Sequence, residues 1–242
     1  MFFVEPYQIK EDSIIITGSD VNHIKNVLRM QLGDKITVSN SIDGKVYEGE
    51  MIQMGEEILC KLCSVSESSA ELSAQVYLFQ CLPKGDKMEF IIQKAVELGV
   101  REIIPVASKR CVVKLDAKKE AAKIKRWQGI AEAAAKQSRR LLIPRVNRVM
   151  TVSEALAYGK EMDVKLMPYE LAEGMNKTKE LIENIKENQK IAVFIGPEGG
   201  FEENEVEKAL EGNFEAITLG NRILRTETAG LTVLAWIMYH LE

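Results

Sequence analysis

The sequence predicts an α/β domain on a mostly parallel sheet, preceded by a small all-β domain. Residues 1 to about 70 alternate short strand-like runs with turn signals, whereas from Ala74 onward strand-like and helical runs alternate, the order that builds βαβ units. Two apolar runs in the C-terminal third, Ile191–Ile195 and Ala216–Leu219, are rich in branched residues and bounded by turn residues, as buried parallel strands are. Each leads into a glycine-bearing loop, GPEGGF at Gly196–Phe201 and LGNRILRTETAG at Leu219–Gly230.

In the first 70 residues, strands are expected at Ser13–Thr17, Lys35–Ser39, Lys45–Ile52 and Ile58–Val65. Gly33-Asp34 and Asp43-Gly44 punctuate them, and the second pair suits a tight hairpin. A helix is expected over Asp20–Met30, capped by Asp20, with Val21, Ile24, Val27 and Leu28 forming its apolar side. The polar stretch Ser64–Ser73 reads as a linker, which sets the domains at 1–72 and 73–242.

Beyond the linker, Gln75–Cys81 is expected as a strand and Lys87–Leu98 as a helix stopped by Gly99. A strand at Glu102–Val106 leads to a long basic helix from Ala117 to Ser138, in which Ile124, Trp127, Ala131 and Ala134 recur at helical spacing. Asp163–Met167 reads as a strand and Thr178–Glu187 as a helix. The last helix, Glu227–Leu241, is mostly apolar and takes Thr226 as its N-cap.

Composition narrows the classes. A chain of 242 residues with 46% hydrophobic and 28% charged residues is ordinary for a folded protein in water. No apolar run approaches the roughly 20 residues that cross a bilayer, and MFFVEPYQIKED lacks the basic front and long apolar centre of a signal peptide. A cytoplasmic protein with no membrane association is expected. Cys60 and Cys63 form a CxxC within a strand, where positions three apart face opposite ways, so reduced structural thiols and no metal site are expected.

The net charge of −4 conceals an asymmetry: residues 101–150 hold 14 of the 32 lysines and arginines against 4 acids. Binding to phosphates depends on such local potential. The segment therefore suits either nucleic acid or a solvated helix face.

A glycine-rich turn opening a helix commonly holds phosphate. Here Glu202, Glu203 and Glu205 follow the glycines and would repel one, and neither a P-loop lysine nor GxGxxG is present. The loop suits a neutral or cationic ligand, or is a tight strand-to-helix turn and nothing more. Ligands of parallel sheets bind beyond the strand's carboxyl end.

HIKNVLRMQLGD (His23–Asp34), PKGDKMEFIIQKAVELGV (Pro83–Val100), AAAKQSRRLLIP (Ala133–Pro144), IGPEGGF (Ile195–Phe201) and LGNRILRTETA (Leu219–Ala229) together resemble the RsmE-like family of the SPOUT superfamily, in order and over nearly the whole chain. Its members methylate N3 of a uridine in bacterial 16S ribosomal RNA. The resemblance implies a PUA-like N-terminal β-barrel that helps to hold RNA and a C-terminal SPOUT domain with a trefoil-knotted sheet. It implies S-adenosylmethionine as cofactor, 16S ribosomal RNA of the small ribosomal subunit as partner, and a homodimer in which each active site is completed by the partner chain.

Carried over residue by residue, the cofactor site comprises Ile195, Gly196, Pro197, Glu198, Gly199, Gly200, Leu219, Gly220, Ile223, Leu224 and Thr226. Arg140, Arg222 and Arg225 are the candidates for stabilising charge on the target base, and Glu198 either orients the donor or stabilises its loop. His23, Lys25, Arg29, Lys84, Arg110, Arg139 and Arg140 are the candidate RNA contacts. Where relatives often read Gln-Ser-Gly-Arg, this chain has Gln137-Ser138-Arg139-Arg140. The competing functions are a non-catalytic RNA-binding assembly factor and a SPOUT enzyme acting on another RNA.

Overall fold

In residues 1–67 the alternation of apolar and polar positions folds into a sheet. The computed structural model describes residues 1–67, 70–172 and 174–242, and the chain divides into two units, 1–71 with 135–143, and 72–134 with 144–242. The first unit contains β1 (Phe2–Phe3), β2 (Ser13–Ile16), α1 (Ser19–Asn22), β3 (Lys35–Ser39), β4 (Lys45–Met54) and β5 (Ile58–Glu67). Its sheet runs β1-β3-β4-β5-β2. Register shifts at Glu48/Gly49 and Met51/Gln53 bend the long β4–β5 pair, and the sheet curls as a half-barrel around Ile14, Ile16, Ile36, Val38, Met51 and Ile58.

β4 and β5 each run two residues past their expected ends, because they pair with each other from Lys45↔Glu67 to Met54↔Ile58. The expected linker therefore loses residues 64–67 to β5, while Ser68 and Ser69 lie outside the described residues. Cys60 is buried and Cys63 exposed, as opposite faces of a strand require. The single helix expected over Asp20–Met30 is instead α1 running into a wider turn at His23–Val27, closed by Leu28 N–H donating to His23 O at 2.9 Å. Asp20 is no cap. Gly18 takes that position, and the Asp20 carboxylate accepts from Lys136 Nζ at 3.2 Å.

The second unit alternates as expected: β6 (Gln75–Cys81), α2 (Lys87–Glu97), β7 (Glu102–Ala107), α3 (Ala117–Gln137), β8 (Arg145–Val146), β9 (Met150–Thr151), α4 (Val152–Gly159), β10 (Val164–Pro168), α5 (Met175–Glu183), β11 (Lys190–Ile195), α6 (Glu203–Glu211), β12 (Glu215–Ile217) and α7 (Thr226–Leu241). All its strands are parallel, in the order β12-β10-β11-β6-β7-β8 with β9 beside β7. The last three residues of α3 are counted with the first unit.

Branched and aromatic residues of the central strands make the core. Phe194 of β11 contacts the rings of Phe79 at 5.8 Å, Phe214 at 5.9 Å and Phe201 at 5.1 Å, separations typical of edge or tilted packing. Helices close over this from their apolar stripes: Ile91, Ile92 and Ala95 of α2, Trp127 and Ala131 of α3, and Val233, Leu234 and Ile237 of α7 are buried.

Several local expectations change: the strand expected at Ala216–Leu219 is Glu215–Ile217, that at Asp163–Met167 is Val164–Pro168, and the helix expected to reach Glu187 ends at Glu183. α5 starts at Met175 rather than Thr178, and Thr178 Oγ1 instead donates to Thr218 O at 3.1 Å. The N-cap of α7 is Arg225, and Thr226 is the first helical residue. α4 was not expected, although Thr151-Val-Ser-Glu154 is a capping-box pattern; the Glu154 carboxylate accepts from Thr151 N–H at 2.8 Å. Among the described residues, no helix is long and apolar enough to cross a membrane.

Phe79 is fully buried in the aromatic cluster, between the rings of Tyr158 and Phe194. Phe79→Ala is expected to cost about 3–5 kcal/mol through lost burial and a residual cavity, read as a lower midpoint of urea unfolding. Ile42→Ala, at an exposed position, should change stability by less than about 0.5 kcal/mol.

Candidate functional site

Parallel strands deliver their following loops to one edge of the sheet. Beyond β10, β11 and β12 these loops surround a cavity of about 690 Å³. Its walls are Pro168–Glu170, Ile195–Glu198, Gly200–Phe201 and Thr218–Thr226, with Lys87 of α2, Met175 of α5 and Ala229 of α7.

Buried hydrogen bonds set the floor. Gln80, wholly buried near the end of β6, donates from Nε2 to Thr226 Oγ1 at 2.9 Å, and Thr226 Oγ1 donates to Gly196 O at 2.6 Å. The start of α7 is thereby tied to the loop after β11. Gly196 packs closely under Phe201, since a Cβ there would lie 3.1 Å from the ring and require it to give by a few tenths of an ångström. Gly220 has φ +100°, which only glycine adopts readily, and its N–H donates to Thr218 Oγ1 at 3.3 Å. Across Asn221–Leu224 the chain is neither helix nor strand, and among the described residues these four amides have no partner within the protein.

The acids that follow the glycines hold α6 in place. The Glu202 amide donates to Glu205 Oε2 at 3.0 Å, closing a capping box at the start of α6, and Lys109 Nζ lies 2.9 Å from Glu202 Oε2. Arg110 Nη1 donates to Gly199 O at 3.0 Å, clasping the loop from outside.

Glu198 is engaged at the rim. Its Oε1 accepts from Lys84 N–H at 3.2 Å and from Lys87 Nζ at 3.1 Å, and Lys87 Nζ also lies 3.1 Å from Glu227 Oε2. Burial pushes the Glu198 carboxyl up, but its own backbone N–H, Lys87 and the Lys84 N–H outweigh this and hold it below its ordinary value. Hydrogen bonds to Glu198 and then Glu227 raise the Lys87 ammonium in turn.

The expected residues separate into groups. Ile195, Gly196, Pro197, Glu198, Gly200, Leu219, Gly220, Ile223, Leu224 and Thr226 all line the cavity, as do Arg222 and Arg225; Gly199 instead packs on the Arg110 side chain. Arg140 is 3% exposed and belongs to the first unit, where Nε donates to both Glu71 oxygens at 3.2 Å and Nη2 pairs with Oε2. Glu71 also accepts from the amides of Leu141 and Leu142. The guanidinium thus organises its own turn. Of the other basic candidates, Arg29 and Arg139 are exposed, each with a left-handed φ. Lys25 Nζ donates to Gly55 O, and the His23 ring sits edge-on to Phe2. His240 is satisfied by Ile185 O at 2.9 Å.

Sequence reasoning missed Lys87, Glu170 and Met175. Glu170 had a legible signal, since it follows a strand's carboxyl end directly; Lys87 and Met175 come from helices whose register against the cavity no local pattern reveals. Among the described residues, no three His, Cys, Asp or Glu side chains gather as a metal-ligand set.

Comparison with known proteins gives consistent results. The family model described as "RNA methyltransferase domain" matches residues 70–238, and that described as "RNA methyltransferase PUA domain" matches residues 16–63. The chain is similar to the ribosomal RNA small subunit methyltransferase E of Bacillus subtilis, at 38% identity over 100% of this chain and 96% of the relative. It is likewise similar to the protein of that name from Mesomycoplasma hyopneumoniae, at 37% identity over 96% of each. Among solved structures, ribosomal RNA small subunit methyltransferase E from Neisseria gonorrhoeae, bound to S-adenosyl methionine, superposes with a TM-score of 0.84 at 31% identity, covering 98% of this chain and 96% of that one. A putative methyltransferase from Legionella pneumophila in complex with the same cofactor gives a TM-score of 0.84 at 28% identity, with 98% and 96% coverage.

A depressed carboxyl contributes stability at neutral pH that is lost as pH falls through its folded value; for Glu198 that window lies below the ordinary 4.5. Lys87→Met removes one of the groups opposing burial. The Glu198 carboxyl should then titrate at higher pH, measurable by carbon-detected NMR.

Proposed function

The chain belongs to the RNA methyltransferase family, with that family's PUA domain ahead of its methyltransferase domain, and on that premise we propose that it transfers a methyl group from S-adenosylmethionine to N3 of a specific uridine in 16S ribosomal RNA of the small subunit. The observation that carries the reading is the cavity enclosed by the Gly196–Phe201 and Leu219–Arg225 loops at the carboxyl edge of the parallel sheet. Relatives of the same name and a cofactor-bound neighbour at 31% identity support it.

The residues present fit the donor. About 690 Å³ is within the ordinary range for a small-molecule site. Ile195, Leu219 and Leu224 offer apolar surface beside the unpartnered amides of Asn221–Leu224, which suits a base recognised by main-chain groups. The carboxylates of Glu170 and Glu198 suit a ligand carrying positive charge. When bound, the donor supplies a methyl group activated by a cationic sulfur.

The protein supplies position and field. Arg222 and Arg225 are exposed in the cavity wall and, among the described residues, pair with no carboxylate. They stabilise negative charge passing to the uracil oxygens as N3 gives up its proton. Between the two roles open for Glu198, its bonds to Lys84 N–H and Lys87 favour stabilising the loop. Arg29 and Arg139 are left to meet RNA phosphates.

The homodimer, the cytoplasmic location and the trefoil knot belong to the same reading. Ile223 and Tyr239 are 87% and 86% exposed, large apolar groups suited to contact with a second chain. The knot is supported by the course of the chain: it leaves β11, builds β12 two strands away, and returns to begin α7 against Gly196.

With labelled donor, the protein should methylate small subunits from a strain lacking this modification, and mass mapping should place the label on N3 of one uridine. Arg222→Ala should lower kcat/KM at least about 100-fold. A protein that binds the donor yet labels neither small subunits nor free 16S RNA would overturn the assignment.

A further inference from the structure

Two carboxylates line the cavity, Glu170 and Glu198, and they stand in opposite electrostatic conditions. Glu198 is satisfied by Lys84 N–H and Lys87 Nζ. Glu170 is exposed and, among the described residues, has neither ion pair nor hydrogen bond, although Lys87, Arg222 and Arg225 line the same cavity.

Its backbone is nonetheless fixed. Tyr169 N–H donates to Ile217 O at 3.0 Å, binding the turn after β10 to the end of β12, and Ala172 N–H donates to Tyr169 O at 3.0 Å. This holds Glu170 opposite the glycine loop, where its Oε1 lies 3.9 Å from the position of a Cβ built on Gly200. A carboxylate so placed is a prepared receptor for a cation that enters with the ligand.

We propose that Glu170 binds the α-ammonium of the donor's amino-acid arm. The inference rests on the methyltransferase reading and deepens it. S-adenosylmethionine carries two cationic centres, and their chemistry separates them. An ammonium has three N–H donors and forms a charge-assisted hydrogen bond with a carboxylate. A sulfonium has no such donor, and a carboxylate held against it would stabilise the charge that transfer removes, slowing the step. The ammonium keeps its charge throughout, so a contact to it secures the donor equally before and after reaction.

Calorimetry on the full chain with three adenosine thioethers or sulfonium compounds tests this without measuring turnover. S-adenosylmethionine has both cations, S-adenosylhomocysteine only the ammonium, and 5′-methylthioadenosine neither. Glu170→Gln should raise the Kd of the first two about tenfold and leave the third unchanged. Because Glu170 is exposed and, among the described residues, makes no hydrogen bond or ion pair, the variant should melt with the wild type.

Unchanged affinity for the first two compounds would overturn the proposal, and so would an equal loss for all three, which would mean a deformed cavity. Loss confined to S-adenosylmethionine would also overturn it by assigning Glu170 to the sulfonium. Failure of the wild type to bind any of the three would instead remove the methyltransferase reading beneath it, so the two failures are distinguishable.

Discussion

The Thr226 hydroxyl joins three distant stretches of chain at one buried point, accepting from Gln80 near the end of β6 and donating to Gly196 at the end of β11. Because α7 has to begin there, the intervening chain, with α6 and β12, is forced out across the sheet and back. The return segment is Thr218–Arg225, which lines the cavity together with the Gly196–Phe201 loop. Each bond contributes on the order of 1 kcal/mol net, but leaving a buried partner unpaired costs about 1–3 kcal/mol. Alternative courses for the return segment are penalised accordingly.

That constraint explains why the site is built from main chain rather than from a constellation of side chains. A segment pinned at both ends, by Thr178 Oγ1 on Thr218 O and by Thr226 on Gly196, has no neighbouring strand or helical turn to satisfy its amides. The residues that carry them line the cavity. The glycine loop opposite is stiffened differently, by Arg110 on Gly199 O, Lys109 on Glu202, and Lys84 and Lys87 on Glu198. The acids of GPEGGFEENE thus do two jobs: Glu202 and Glu205 cap α6, and Glu198 locks the rim to α2.

Much of this was legible in the sequence. β3 and β6 fall at their expected residues, because their apolar runs are bounded by turn residues, and the two glycine loops were placed correctly at strand ends. The failures have physical causes. Asp20 and Thr226 have the right chemistry for N-caps, but tertiary partners Lys136, Gln80 and Gly196 claim their side chains. β8 and β9 are two residues each, too short for any periodicity, and exist only because β7 offers a free edge. The association of residues 135–143 with the first unit has no local signal, since it depends on Glu71 reaching Arg140 and the amides of Leu141 and Leu142.

Arg140 shows how far a motif carries a role. Its position in AAAKQSRRLLIP singled it out for charge stabilisation, yet its guanidinium is buried and spent on Glu71. Freeing it would break the ion pair and hydrogen bonds to Glu71, whose side chain is only 20% exposed, and leave that carboxylate, among the described residues, with the Leu141 and Leu142 amides alone. A transition state would have to repay that before gaining anything, whereas Arg222 and Arg225, among the described residues, hold no carboxylate and stand in the cavity wall already. Preorganised charge accelerates a reaction only when it needs no rearrangement at the moment charge develops. On that criterion the two arginines of the return segment suit the proposed electrostatic work better than Arg140, whose guanidinium is engaged with Glu71.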